Sequence, residues 1–332
     1  MAHPIENTLA LLQDAMIAHQ QALARGPSTE PSQPVAEPRD LRAQLVLRLL
    51  TGVEMRAGIE VSQPAAEKLL RLLAAIDIGE LEAWAAKLDT LPASHPEWLS
   101  LIESLTVHET YVMRDPSQLA FFAAQLPALI AEAAASKFYL LRFWSVGCAT
   151  GEEAYSIAAL TLDAMVASGN AVVTETGANL VAPWQIEIVG SDISRLALTQ
   201  AQAGIYDTGP LSSFRDESEP TLRHFPSVPA IGANSVARRS ASPDLKATVS
   251  FSHFNIIDDP MPAEPFDTVF CRNVLIYFSA RARKHAQETL RRAVRPGGYL
   301  LLGPTDTLIE TEAFEALWAP GAVIYRRRKD DA

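Results

Sequence analysis

A chain of 332 residues is long enough to bury one large core or two modest ones. With 48% hydrophobic and 20% charged residues it has the make-up of an ordinary soluble globular protein. Its net charge of −11 excludes a general nucleic-acid binder, which needs a basic excess. Cys148 and Cys271, far apart in sequence, offer no disulfide framework. The opening MAHPIENTLA lacks a basic stretch leading into an apolar one, so no signal peptide is read. No apolar run approaches the ~20 residues that span a bilayer. A reduced, cytoplasmic protein without membrane insertion is expected.

Residues 5–25 carry Ile5, Leu9, Leu12, Met16 and Leu23, mostly at three- and four-residue steps, which makes one apolar stripe on a short helix. Pro27, Pro31, Pro34 and Pro38 follow among Gly, Ser, Thr and Glu, a composition that reads as a linker, so residues 1–38 form a tethered helix. Such a helix docks on its own protein or on a partner, and the pattern does not choose between them. Residues 39–115 read as a small helical domain. Its apolar positions are Leu41, Leu45, Leu49 and Leu50, then those across 65–75, 78–88 and 98–105, punctuated by Gly58, Pro64, Gly79 and Pro92. Between Arg39 and Ala75 the segment is locally basic; a solvated helix face is favoured over a docking surface for an acidic partner.

From 116 to 332 strands and helices alternate, the pattern of a parallel sheet with crossover helices. A helix is expected over 118–135. A strand through Leu141, Phe143 and Val146 then breaks at Gly147, and a helix begins after Gly151. Residues 169–183 read as a loop, 185–190 as a strand, and 195–203 as a helix capped by Ser194. Residues 207–248, rich in Pro, Ser and Gly, read as a small insert with short β-strands. Strands are expected over 249–254 and 267–272. A helix over 280–294 is stopped by Pro296-Gly297-Gly298, and a strand over 299–302 and a final pair near 314–318 and 322–326 close the sheet. The fold class is α/β, Rossmann-like, with an all-helical N-terminal domain and a small β insert.

In an open parallel sheet, ligands sit outside the carboxyl ends of the strands. The polar residues fall there: the loop Gly147–Gly151, Asp192, Asn255, and Arg272, Asn273 and Tyr277. Small residues at Gly147, Ala149 and Gly151 let a ligand approach backbone N–H groups at a helix start. The spacing G-x-A-x-G is not the dinucleotide G-x-G-x-x-G, and an acid ending the next strand suits ribose hydroxyls. That pair describes S-adenosylmethionine (SAM) as well as NAD, and no hydride-transfer pair accompanies it.

Four stretches in order, HETYVMRD, RFWSVGCATGEEAYSIA, GSDISRLALTQAQAGIY and FDTVFCRNVLIYF, followed by RPGGYLLLG, resemble the CheR-type methyltransferases of bacterial chemotaxis. The resemblance covers about residues 40–328 and implies a class I SAM-methyltransferase fold. It implies transfer of a methyl group from SAM to glutamate side chains of a methyl-accepting receptor or another protein with acidic helices, leaving S-adenosylhomocysteine. By position it makes His108, Thr110, Arg114, Gly147, Glu153, Asp192, Asn255, Ile256, Cys271 and Arg272 cofactor contacts, and sets Tyr277, with Arg114, beside the methyl acceptor. No metal is expected. The chain departs from the family at three places. The family usually has Asn at His108, aromatic residues at Val112 and Met113, and G-H-S-E where this chain reads Gly303-Pro304-Thr305-Asp306.

A glutamate side chain in water titrates at about pH 4.3, so it is already ionised at neutral pH and its methylation needs no general base. It needs in-line placement and removal of water from the carboxylate. Arg114 and Arg272 are candidates to hold carboxylates bidentately, and the Tyr277 hydroxyl to orient the acceptor oxygen. Duller readings stand beside these. Glu153 follows Thr150 by three, the spacing of a capping box. Asp192 has helix capping as its rival role, and Tyr277 and Phe278 have core packing. Two other functions stay open: a non-catalytic SAM-binding sensor, and a methyltransferase of small-molecule acids.

Overall fold

In a computed structural model of the chain, the described residues are Met16 and 40–330, apart from 175–176, 216–221, 230–236 and 310. The helix and linker read in residues 1–38 lie outside them, except for Met16. The described residues fall into two compact units, one drawn from Met1–Thr106 and Tyr277–Arg283, the other from Val107–Ile276 and Lys284–Ala332.

The first unit is helical: α1 (Leu41–Ala57), α2 (Gln63–Leu73), α3 (Ile78–Asp89) and α4 (Pro96–Leu105). Asp40 caps α1 through the Arg42 N–H and Asp77 caps α3, while Gly58 ends α1 in the left-handed conformation at φ 73°. Trp98 is fully buried, donates its indole N–H to the Leu88 carbonyl, and carries the Arg56 guanidinium 3.9 Å above its ring. Several basic residues of the stretch after Arg39 are engaged inside the unit. Arg42 donates to the carbonyls of Leu73 and Ile76, Arg48 pairs with Asp89, and Lys68 reaches the Thr106 carbonyl. These side chains bond within the helical unit, Arg48 and Lys68 at its surface.

In the second unit α5 (Pro116–Ser136) leads to β1 (Leu140–Val146), and α6 (Glu152–Ala167) follows. Then come β2 (Ala171–Thr174), β3 (Gly177–Leu180), β4 (Gln185–Asp192) and α7 (Arg195–Ala203). The insert holds β5 (Ile205–Asp207), β6 (Ser227–Val228), β7 (Arg238–Ser240) and α8 (Pro243–Thr248). The chain closes with β8 (Val249–His253), β9 (Phe266–Cys271), α9 (Ala280–Ala293, whose first turn groups with the helical unit), β10 (Val294–Leu302), β11 (Phe314–Ala319) and β12 (Ala322–Arg327). Among the described residues the main sheet has the order β11-β12-β10-β9-β1-β4-β8, parallel from β8 to β10, with β11 and β12 antiparallel at one edge. The insert forms its own sheet, β5-β7-β6, as its composition suggested.

Three expectations change. Residues 169–183 are not a plain loop. Val172 and Val173 are β-branched, and Ala171 and Ala178 are buried, so β2 and β3 form an antiparallel hairpin. Pro296-Gly297-Gly298 does not separate the helix from the strand, because β10 starts at Val294 and absorbs those residues as a bulge between Val294 and Tyr299. A Cβ on Gly298 would lie 2.7 Å from the Asp267 carbonyl, and Gly297 sits at φ 79°, so glycine is what lets the strand continue. Finally, α5 is 21 residues long and apolar enough to cross a bilayer by length and composition, contrary to the absence of such a run. It lies on the sheet instead, burying Leu119, Phe122, Leu126, Leu129 and Ile130.

Phe122 meets Phe143 and Phe270 edge-on, each at 5.1 Å between ring centres, joining α5 to the two central strands. Phe122→Ala should cost about 3–5 kcal/mol of stability in denaturant unfolding; a loss under about 1 kcal/mol would show that α5 does not depend on this contact.

Candidate functional site

The chain runs β1, β4, β8 to one side of the sheet, then returns to lay β9 and β10 on the other side of β1. Connections therefore diverge between β1 and β9, and the crevice of a doubly wound sheet opens above the carboxyl ends of those strands. The loop 147–151 leaves β1 there. Gly147 and Cys148 donate to the Ser191 carbonyl at 2.7 and 2.9 Å, and Ala149 donates to Asp192 Oδ2 at 2.8 Å. The loop is thereby sewn to the end of β4. Gly147 sits at φ 69° with space for no side chain, since a Cβ would stand 2.4 Å from Val274 Cγ2.

Asp192 is buried. Its Oδ2 holds the loop and its Oδ1 accepts from Ser194 N–H at 2.8 Å. Ser194 caps α7 through Ala197 N–H, as the sequence implied, which leaves the Asp192 carboxylate facing the loop after β1. The capping box proposed for Thr150 and Glu153 does not form. The Thr150 hydroxyl donates to Glu152 at 2.6 Å, and Gly151 is the N-cap with no side-chain bond. Glu153 is free of that task. It accepts from Ser145 Oγ at 2.7 Å and from Arg272 Nη1 at 3.0 Å.

The Arg272 side chain is only 2% exposed. Its guanidinium bridges Glu153 and Asp115, the latter at 2.9 Å, and Nη2 also donates to the Arg114 carbonyl. Arg114 itself turns away, donating to the Glu109 carbonyl with Tyr111 beside it. The expected pair of arginines ready to clamp carboxylates is thus not what the site holds. One is committed to two acids, the other to a backbone carbonyl. The remaining predicted residues fall as follows. His108 and Thr110 are half-buried in the irregular segment before α5. That segment is pinned by Val112 N–H to the Ser213 carbonyl (2.9 Å) and Met113 N–H to Ser156 Oγ (3.0 Å). Asn255 follows β8, with Oδ1 accepting from Ile257 N–H, and Ile256 is buried. Cys271 is fully buried, and burial pushes its thiol well above the ordinary range. Tyr277 groups with the helical unit, 40% exposed, its carbonyl accepting from Glu60 N–H.

Sequence reasoning missed Asp115 and Ser145. An Asp before Pro at a helix start reads as an N-cap, yet Asp115 makes no capping bond and adopts a left-handed backbone at φ 51° while its carboxylate reaches Arg272. Ser145 carried a usable signal, an isolated hydroxyl in an apolar strand, which has to find a partner when buried.

The rim of the crevice is acidic overall. Glu153 and Asp115 pair with one buried arginine, while Asp192 and Glu152 lie at the loop after β1, so a ligand bearing hydroxyls and positive charge fits these acceptors. Burial raises the Glu152 carboxyl, against the lowering effect of the Thr150 and Ser213 hydroxyls. Its folded pKa then exceeds its unfolded one. Ionisation costs stability above the folded pKa, and that cost fades as pH falls toward the unfolded value. Glu152→Gln should therefore flatten the stability curve in that window, with no loss near about pH 8. Thermal unfolding across acidic to neutral pH checks it; an unchanged pH slope would contradict the assignment.

A match to the family described as CheR methyltransferase, SAM binding domain, extends over residues 108–322. Chemotaxis protein methyltransferase 1 of Pseudomonas aeruginosa is 30% identical over 230 residues, covering 69% of this chain and 77% of that protein. Chemotaxis protein methyltransferase Cher2 of Pseudomonas putida is 32% identical over 209 residues, covering 63% of this chain and 69% of that protein. An uncharacterized 104.1 kDa protein of Rhodobacter capsulatus is 31% identical over 227 residues, and there the match spans 68% of this chain but only 21% of the larger protein. The chain thus covers most of the first two relatives and about a fifth of the third. It belongs to the CheR methyltransferase family, and the cofactor of the domain it carries is S-adenosylmethionine.

Proposed function

We propose that this protein transfers a methyl group from SAM to glutamate side chains of a chemoreceptor-like signalling protein, acting in the cytoplasm. The observation that carries the reading is the acidic rim at the β1–β9 switch point, where Asp192 and Glu153 flank a loop of small residues at a helix start. The family supplies the cofactor, whose contribution is a methyl group on a sulfonium, already activated for displacement. The chain's residues have three tasks. Asp192 retains lone pairs for ribose hydroxyls while its other interactions fix the loop. Glu153, held by Ser145 and Arg272, offers negative charge to the amino group of the cofactor's amino-acid moiety. Gly147, Asn255, Ile256 and Cys271 supply backbone surface at the strand ends, with His108, Thr110 and the main chain of Arg114 contributing from the segment before α5.

The acceptor step is a displacement. A carboxylate oxygen lone pair forms the new O–C bond, the C–S bond breaks with its electron pair going to sulfur, and no proton moves. No general base is therefore required, and the protein's part is alignment and exclusion of water. In this reading the hydroxyl of Tyr277 orients the acceptor oxygen, and a glutamate on an acidic helix is the natural substrate because it arrives ionised.

Incubation with radiolabelled methyl donor and receptor signalling fragments should give base-labile label on glutamates. Label appearing only on small acids, or none with SAM bound, would overturn the reading. Asp192→Asn should weaken SAM binding by at least about tenfold in calorimetry, as expected when a charge-assisted acceptor is lost. Tyr277→Phe should leave binding intact and lower kcat by about tenfold or more; transfer at the wild-type rate would remove Tyr277 from the mechanism.

A further inference from the structure

The stretch Gly303-Pro304-Thr305-Asp306 departs from the family pattern, and the structure gives its last residue an unexpected place. Asp306 is 7% exposed, and its Oδ2 accepts from Asn273 N–H at 2.8 Å and from Gly303 N–H at 3.2 Å. One side chain thus ties the first backbone donor of the turn that leaves β9, directly after Arg272, to the end of β10. Asn273 sits at φ 60°, a left-handed conformation that asparagine tolerates. The support beneath Asp306 is firm. Asp306 N–H donates to the Gly303 carbonyl at 2.9 Å, closing a tight turn. The buried Gln287 on α9 brackets the same loop, donating to the Thr307 carbonyl at 2.7 Å and accepting from Ile309 N–H at 2.8 Å.

We infer that Asp306 is a positioning residue for methyl transfer, fixing the backbone at Asn273 so that Arg272, the residue before it, keeps its setting. The inference rests on the methyl-transfer reading for its catalytic part and on geometry alone for the anchoring. A carboxylate accepting two backbone N–H groups on one oxygen makes charge-assisted bonds that a neutral amide cannot match. An asparagine at 306 keeps one acceptor oxygen but loses the charge, and its NH2 is buried where Asp306 Oδ1 has no hydrogen-bond partner among the described residues. Asp192 and Asn255, on other strand ends, keep their contacts under that change. The setting of Arg272, and through it of Glu153, does not, and a misplacement of about 1 Å costs roughly a hundredfold in a reaction that depends on alignment.

Asp306→Asn tests this in the full chain, with Gly303→Ala as a second perturbation of the same contact. A Cβ on Gly303 would stand 2.5 Å from Asn273 N and 2.8 Å from Asp306 Oδ2, displacing the turn without removing the carboxylate. Both variants should lower kcat per SAM-binding site by at least about tenfold, a larger factor than any loss of SAM affinity read by calorimetry. Amide exchange at Asn273 should quicken in both. An unchanged kcat per binding site, or a loss confined to SAM affinity, overturns the positioning role, because a residue that only stabilises the fold alters the folded fraction and not the rate of the molecules that bind. Wild-type protein that binds SAM and methylates no acceptor sinks the methyl-transfer reading instead; amide exchange then decides the anchoring, which unchanged protection in Asp306→Asn would overturn.

Discussion

A guanidinium shut away from water is the constraint around which the site is arranged. Arg272 cannot be deprotonated, so its burial demands compensation, and it receives two carboxylates and a backbone carbonyl from separate segments of the chain. Glu153 comes from the first turn of α6, Asp115 and the Arg114 carbonyl from the stretch entering α5, and Arg272 itself from the end of β9. Removing one partner would strand a charge, typically at a cost of about 3–5 kcal/mol. The ion pairs therefore tie together three elements at the rim where the sheet's connections diverge. They also decide which acidic oxygens remain to meet a ligand.

The same logic of satisfied backbone and side-chain donors recurs around the rim. Ser191 and Asp192 hold the loop after β1, Ser194 closes α7, and Asp306 anchors the turn after β9. Each strand end that faces the crevice is fixed by a hydrogen-bonded polar group, so the loops between strands and helices are set by the sheet. Preorganisation of this kind is what a displacement with no acid–base step requires. It is also consistent with a family whose chemistry is supplied by its cofactor.

How much of this was legible in the sequence depends on the range of the interaction. The strand, small-residue loop and helix at 140–167 announced themselves because hydrophobic period and glycine placement are local signals. Ser194 as a cap was legible for the same reason, and so was the strand-bearing insert, from its Pro, Ser and Gly content. Glu153 was visible as a residue but not in its partner: its spacing from Thr150 suggested a local bond, and the bond it makes spans 119 residues to Arg272. Asp115 was hidden because Asp-Pro at a helix start has an ordinary local explanation, and only the packed structure shows the carboxylate directed elsewhere. The bulge at Pro296-Gly297-Gly298 misled in the opposite sense. Its residues are true helix-ending signals, yet parallel pairing with β9 continues through them because Gly298 can approach the Asp267 carbonyl. Asp306 stood out in sequence only as a departure from a family pattern, and its role in gathering backbone donors needed coordinates to be seen.

A crystal structure of the full chain soaked with S-adenosylhomocysteine tests the central claim most directly. Ligand density is expected above the ends of β1, β4 and β9, with ribose oxygens on Asp192, the amino group near Glu153, and Arg272 still bridging Glu153 and Asp115. Density for the ligand elsewhere on the protein, or an Arg272 that has let go of both acids to bind it, would contradict the account.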